Sequence, residues 1–464
     1  MVAQEEHDTF LAERGSVWRF LSAQACASVG AIALTTVLGL QVWELTRREL
    51  SLGFLGLVEF LPALLLVLVT GTVADRFDRR RIASLGLLLQ TVVAATLGWY
   101  AMSDPTSAAP IFALVLCFGV ARAFTAPAVR SMPADLVPYR RLPWLTVRYS
   151  ATWQVSAIVG PVLGGVLYAV DPVAPFFVVA GLFLAASFVI TTVRYAAHVH
   201  DVRAGARTAL AEPLDAMEPA ELEDAELTTP AAPPASVRER VHEAMEGFRF
   251  IRREPVLLGA ITLDLMAVLF GGALALLPAL AEERLGVGAV GLGWLRAAVG
   301  IGAALMTLAL AIRPVQRRIG VVLLVAVAMF GVGTVALGVT TSFAVAFVAL
   351  MVASAADAIS VFIRSTLVPL VTPDEMRGRV LAVEMVLIGA SNELGAFESG
   401  VTGQLFGPAI AVVMGGGASV VVAVVWWFAF PALRRTDRFP RMEPSPPDES
   451  ALPAPVETPP PQRG

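Results

Sequence analysis

Lysine is absent from this 464-residue chain, and charge of any kind is scarce. Charged residues make up 16% of it, against roughly 25% in an ordinary soluble domain. All basic side-chain charge at neutral pH rests on arginine, a bias that fits a GC-rich genome and implies no mechanism. A Gly-Lys-Ser/Thr phosphate cradle is missing, which disfavours nucleotide-driven work. Only two cysteines occur, Cys26 and Cys117, both inside apolar runs, so neither a disulfide framework nor a cysteine metal site is expected. The four histidines lie in polar segments, and His198-x-His200 is read as solvated loop. No metal and no cofactor is expected. Nucleophile and metal constellations are missing, which counts against an enzyme, and no basic-aromatic patch suggests nucleic acid. The acidic segment Met1 to Gly15 lacks a basic n-region and a cleavage site, so the first apolar run is expected to persist in the mature chain.

What is present is apolar sequence in long blocks, 56% hydrophobic overall. Each block approaches the roughly 20 residues that cross about 30 Å of hydrocarbon as a helix. Helices are the default because lipid offers no partner to a free backbone N–H or C=O. The blocks do not alternate as barrel strands would. Twelve spans are predicted: about Val17–Leu40, Leu52–Val73, Ile82–Met102, Ile111–Val129, Thr146–Val170 and Pro175–Val193, then Val256–Ala281, Leu292–Ile312, Val321–Val339, Phe343–Leu370, Val380–Leu405 and Ala409–Leu433. The domains are then a terminal segment 1–16, a six-helix bundle 17–193, a linker 194–255, a second bundle 256–433 and a tail 434–464 rich in Pro, Glu and Arg.

With an inner N-terminus, the inner loops hold Arg76, Arg79, Arg80, Arg81, Arg140, Arg141, Arg313, Arg317, Arg318, Arg377 and Arg379. The outer loops hold only Arg47, Arg48 and Arg284. This positive-inside bias puts both termini in the cytoplasm. Within the linker, Ser236 and Glu239 fit a capping box, and Val237, Val241, Met245 and Phe248 recur at helical spacing. An amphipathic helix on the inner membrane face is expected, with an ordinary solvated helix as the alternative. The halves echo each other: Arg130-Ser131 and Leu136-Val137 match Arg364-Ser365 and Leu370-Val371 at one offset. Six spans, a linker and six spans suggest an internal duplication.

Two motifs stand out. Between spans 2 and 3 runs Gly71-Thr-Val-Ala-Asp75-Arg76-Phe-Asp-Arg79-Arg80-Arg81. Glycine lets the helix end tightly, and an aspartate meets a cluster of arginines, a charge latch that one conformation can make and another break. Arg81 is read as setting topology alone, whereas Asp75, Arg76, Arg79 and Arg80 together are read as the latch, since topology needs no aspartate. In span 5, Gly160-Pro161-Val-Leu-Gly164-Gly165 would break a helix in water but gives a kink and a close-packing face in lipid; generic small-residue packing remains the alternative. The loop resembles the signature of the major facilitator superfamily, with Asp78 where the pattern usually has glycine. The span 5 stretch resembles the motif of its exporters and antiporters. Segments Thr372–Arg379, Ile388–Gly395 and Phe397–Gly400, with Leu263-Asp264-Leu265 and Gly293-Trp294-Leu295-Arg296, resemble the branch containing the enterobactin exporter and multidrug exporters.

The resemblance implies an all-α integral membrane fold, two six-helix pseudo-repeat bundles around a central cavity that work by alternating access. It implies a bacterial cytoplasmic membrane, a monomer in the lipid bilayer, and a small-molecule substrate with protons as partners. Ionisable residues at membrane depth are costly, so each is a candidate. Asp264, Glu393 and Glu398 are the first candidates for carrying protons; Arg122, Asp357 and Glu59 are further cavity candidates. Arg364, Glu384, Arg377 and Arg379 are inner-face charge candidates, for which pairing is the simpler reading. Paired charges that lock the halves are the alternative for each membrane-depth residue. The expected activity is proton-coupled export of a small amphipathic or hydrophobic compound, drug-like or a siderophore. A non-transporting membrane sensor of the same fold and a proton-independent facilitator or importer stay open.

Overall fold

A computed structural model describes residues 2–195 and 237–440, except the side chains of 2–13, 67–69, 71–72, 74–76, 139 and 237–241. Among the described residues there is no strand, and 12 helices are long and apolar enough to cross a membrane. The first six are α1 (Val2–Thr46), α2 (Glu49–Arg76), α3 (Arg79–Ala101), α4 (Ala109–Leu136), α5 (Leu142–Val170) and α6 (Ala174–Thr191). Helix α7 (Val237–Arg253) precedes α8 (Pro255–Phe270), α9 (Gly288–Ile312), α10 (Ile319–Val339), α11 (Phe343–Val371), α12 (Asp374–Phe406) and α13 (Pro408–Ala429). Several helices outrun the apolar blocks, α1 at both ends and α12 by six residues at its start, because backbone hydrogen bonding continues into water where hydropathy falls. Prolines 62, 127, 133, 161 and 369 lie inside helices, tolerated where neighbouring helices re-satisfy the backbone.

Span 7 departs from the expected single helix. It breaks at Gly271-Gly272, continues as a 3₁₀ turn at Ala273–Leu276 and ends in a π turn at Leu280–Arg284. The break lets the chain meet α12 closely. A Cβ at Gly272 would stand 2.3 Å from the Gly395 carbonyl oxygen, and one at Gly271 would stand 2.4 Å from the Phe330 ring.

Helices α1–α6 form one bundle and α8–α13 the other. They meet along two seams, α2 against α12 and α5 against α9. Spans 2 and 5 of one half thus meet spans 11 and 8 of the other, the exchange that a two-fold relation between duplicated halves requires. Apolar side chains gain little by leaving lipid for each other, so seams rely on small residues that bring backbones together. At the first seam a Cβ on Gly53 would lie 2.7 Å from the Ala396 carbonyl oxygen. At the second, one on Gly165 would lie 2.4 Å from the Ala289 carbonyl oxygen, and one on Gly293 would lie 2.7 Å from that of Pro161. Near the α1–α2 turn, Arg47 pairs with Glu282 at 2.6 Å and Trp43 Nε1 donates to the same carboxylate at 2.8 Å. The bundles are therefore clamped at the end bearing the α1–α2 and α8–α9 turns, here the turn face. The opposite end is the linker face.

Helix α7 packs on α12, where Arg379 pairs with Glu246 at 2.6 Å and Ile251 is buried beside Val380. Met245 and Phe248 are exposed. Its protein-facing side is the Gly247–Ile251 edge, and the Met245–Phe248 edge points away. Ser236 and the side chains of Val237, Glu239 and Val241 lie outside the described residues.

The seam contacts generate a test. Gly53→Ala and Gly165→Ala each place a methyl into backbone, an overpacking that costs roughly 1–3 kcal/mol. Their melting midpoints in detergent are expected to fall, whereas Gly181→Ala, with open space at its Cβ, is expected to match the parent. Unchanged midpoints for both seam variants would contradict the packing described.

Candidate transport cavity

Between the bundles, on the linker side of the clamp, lies a cavity of about 470 Å³. Glu59 of α2, Trp153 and Gln154 of α5, Arg296 of α9 and Asp357 of α11 line it. A second cavity of about 410 Å³, inside the first bundle, shares Trp153 and Gln154 as its wall and adds Gln90, Arg122 and Arg130. The Gln154 amide donates to the Gly300 carbonyl oxygen at 2.9 Å and so ties α5 to α9 across the halves.

Helix α4 comes close to α2 because position 119 is glycine: a Cβ there would stand 2.3 Å from the Glu59 carbonyl oxygen. One turn on, Arg122 reaches the Glu59 carboxylate and forms an ion pair. Glycine at position 56 makes similar room on the other side of α2. The Glu393 carboxylate of α12 sits against it, 2.7 Å from where a Cβ would be, and within electrostatic reach of both Glu59 and Arg122. Two carboxylates, one from each bundle, therefore face one guanidinium across the α2–α12 seam.

Arg296 completes the cavity and is absent from the residues the sequence singled out for charge. Its Nε is buried with no hydrogen-bond partner, and its guanidinium end passes 3.5 Å from where a Gly39 Cβ would stand. Four residues into the predicted eighth span, it read as part of an entrance motif rather than as charge at depth. A lone arginine in an apolar block was the available signal. Asp357 has no hydrogen-bond or ion-pair partner among the described residues.

Asp264, Arg364 and Glu384 occupy a different place. Arg364 pairs with Asp264 at 2.9 Å and with Glu384 at 3.4 Å, and Ser360 Oγ donates to Asp264 at 3.4 Å. All three charges are buried inside the second bundle, joining α8, α11 and α12. Asp264 does not line the central cavity, contrary to the expectation that brought it there. It shares a small void with Asp357 and Phe330. Glu398 is half-buried on α12 and is likewise not a lining residue of the central cavity.

The motif residues act at the seams and the linker face. Gly160 and Gly164 pack on α1, where a Cβ would lie 2.9 Å from Ile32 Cβ and 2.9 Å from the Ala33 carbonyl oxygen, while Gly165 and Pro161 meet α9. Arg79 pairs with Asp135 of α4 at 2.8 Å. Asp78 caps α3 by accepting from the Arg80 backbone N–H at 2.9 Å, pairs with the Arg80 side chain at 2.9 Å and accepts from the Tyr195 hydroxyl at 3.0 Å. Burial alone would raise the Asp78 carboxyl, but these hydrogen bonds and the Arg80 charge hold it at about 2. The residue that departs from the family pattern thus anchors the loop to the end of α6. Gly71 lies within α2, which does not end at the glycine as expected but runs on to Arg76, and the side chains of Asp75 and Arg76 lie outside the described residues. Arg377 pairs with Asp374 on its own helix, and Arg379 holds α7.

Two six-helix bundles joined along paired seams around a charged cavity define a multi-pass membrane protein of transporter architecture. A model of the Major Facilitator Superfamily matches residues 20–383, and the chain belongs to that family. No curated protein matches it in sequence. Solved structures share the fold. A bacterial homolog to the human lysosomal transporter Spinster, inward-facing and unoccupied, has a TM-score of 0.63 at 14% identity, covering 91% of this chain and 96% of that one. A POT family transporter in complex with 5-aminolevulinic acid has a TM-score of 0.67 at 10% identity, covering 90% and 96%. The nucleoside transporter NupG has a TM-score of 0.63 at 12% identity, covering 90% and 99%.

Two outcomes follow from these contacts. Arg364→Ala strands two buried carboxylates, and breaking a buried pair in this way costs about 3–5 kcal/mol; a melting midpoint close to the parent's would contradict the buried triad. Asp78→Ala removes the α3 cap and costs about 1 kcal/mol. Because the folded carboxyl sits below its ordinary value, its contribution is complete above about pH 4 and disappears as pH falls toward about 2. Parent and variant are therefore expected to differ at neutral pH and to converge in strong acid, measured as denaturation midpoints.

Proposed function

We propose that this chain is a proton-coupled exporter of small amphipathic or hydrophobic compounds, drug-like molecules or a siderophore, working by alternating access. The observation that carries the proton-coupled part is the placement of Glu59 and Glu393, one carboxylate from each bundle, within electrostatic reach of each other and of Arg122, with Glu59 lining the cavity. With both carboxylates charged, Glu393 is repelled by Glu59 more than it is drawn to Arg122, which is already paired with Glu59. A proton on Glu393 removes that repulsion and leaves the Glu59–Arg122 pair inside the first bundle. The seam can then close on a neutral side chain, and the proton departs when the seam opens and Glu393 next meets water on the other side. Protons and substrate each bias the same two-state equilibrium, which is all that coupling requires.

The cavity suits a molecule with a large apolar body and a few polar points. Trp153 offers a flat apolar face, while Arg296 and Asp357 offer one charge of each sign. Outward direction is favoured by the likeness of the Gly160–Gly165 stretch to the motif of exporters and antiporters. Asp264 and Glu398 are assigned supporting parts: Asp264 holds Arg364 in the second bundle, and Glu398 lies on the moving seam helix. The protein acts as a monomer in the cytoplasmic membrane of a bacterium, with both termini inside.

The test uses purified protein in proteoliposomes with a trapped pH dye and a panel of lipophilic drugs and catecholate siderophores. Substrate-dependent proton movement is expected from the parent chain. Glu393→Gln is expected to lose that movement, by a factor of ten or more, while still binding substrate. If compounds are transported with no proton movement, the chain is a facilitator. If Glu393→Gln couples like the parent, the carboxylate assignment fails.

A further inference from the structure

At the linker face of the first bundle, away from the transport cavity, lies a separate recess of about 490 Å³. It forms where the beginning of α1 meets the α4–α5 connection. Arg14, Arg140, Arg141 and Arg148 line it, together with Trp18 and Trp144. No carboxylate is among its described lining residues, and Arg14, Arg140 and Arg148 make no ion pair among the described residues. The Arg148 guanidinium lies over the Trp144 ring, 3.8 Å from its centroid, and donates to the Trp144 carbonyl oxygen at 3.3 Å. The three like charges of Arg14, Arg140 and Arg148, gathered in one recess, repel one another unless an anion sits among them.

The position of the recess says which anion. On α5, Trp144 and Arg148 head a stripe that continues through Val155, Val159 and Val166, all exposed. At 3.6 residues per turn that stripe lies opposite Trp153, which lines the transport cavity. The stripe is thus the bilayer-facing side of α5. Exposed tryptophans at the end of such a stripe belong at head-group depth, and basic pockets at that depth between membrane helices take anionic head groups.

We propose that this recess binds the head group of an anionic phospholipid. The phosphodiester oxygens sit among the arginine forks, for which bidentate hydrogen bonding is the natural geometry. The acyl chains run down past Trp18, Trp144 and the valine stripe. Bound there, one lipid ties the entry of α1 to the α4–α5 connection. This assignment is independent of what the cavity transports.

The experiment takes the full chain, purified and delipidated in a neutral detergent. It is titrated separately with a phosphatidylglycerol, a phosphatidylcholine of the same acyl chains, and inorganic phosphate. Bound lipid is counted by native mass spectrometry and the melting midpoint is followed. Phosphatidylglycerol is expected to be retained and to raise the midpoint, and the other two are not. Each arginine near the surface contributes roughly fivefold to such binding, so Arg140→Gln with Arg148→Gln is expected to weaken it roughly 30-fold. Arg313→Gln with Arg317→Gln, on the linker face of the other bundle, is expected to leave it unchanged. Should the glutamine pair fail to fold, Arg148→Lys carries the test: it keeps the charge but loses the fork and the ring contact, and several-fold weaker binding is expected. Equal binding of phosphatidylglycerol by the variants would overturn the proposal, as would equal retention of phosphatidylcholine. An equal effect of inorganic phosphate would assign the recess to a soluble anion instead.

Discussion

A charge held at membrane depth must be paired, or face water, or be lost, and the interior of this protein is arranged around that constraint. Its paired interior charges fall into two kinds. The Asp264–Arg364–Glu384 triad is packed within one bundle, where removing water from three ions is offset by their mutual attraction. It joins three helices into one body. The Glu59–Arg122 pair with Glu393 is placed differently: it spans the seam between bundles and borders a cavity. The first kind makes a bundle rigid. In the proposed mechanism the second makes the relation between bundles depend on protons.

The small residues complete that division. Glycines at 53, 165, 293 and 400 let helices of opposite bundles touch through their backbones, so the seams carry few side chains that would have to repack if the bundles rocked. Glycines at 56 and 119 serve the charge cluster more directly, since each leaves room for a charged side chain or its helix to reach α2. The α2–α3 loop works on the outside of the same first bundle. Asp78, Arg79 and Arg80 fasten α3 to α4 and to the end of α6, which keeps the bundle a single unit as the seam moves.

The fold was legible in the sequence because lipid leaves a chain few options. Twelve apolar blocks, a central polar break and arginines on alternate loops lead to two six-helix bundles without any knowledge of packing. Helix ends were less legible, because hydrogen bonding runs past the hydropathy edge, as at α1 and α12. Span 7 was misread as continuous: Gly271-Gly272 lies inside an unbroken apolar block, and only the approach of Gly395 makes it a break. For the site, residue types were legible and faces were not. Glu59, Arg122, Glu393 and Asp357 were singled out as costly charges, and the fold brings them to or beside one cavity. Asp264 was equally costly but turns toward Arg364, a choice set by helix rotation of which hydropathy carries no trace. Arg296 was passed over because it sits near the edge of an apolar block.

The central claim is that protonation at the Glu59–Arg122–Glu393 cluster sets how the two bundles sit against each other. It is tested most directly by the distance between spin labels at Ser103 and Thr341, exposed turn-face positions on opposite bundles, with Cys26 and Cys117 replaced by serine. Measured by electron double resonance as the pH is lowered through the carboxylate range, the distance distribution of the parent chain is predicted to shift from one population to another. Glu393→Gln is predicted to hold the low-pH distribution at every pH. A parent distribution that ignores pH, or a Glu393→Gln chain that titrates as the parent does, would contradict the account.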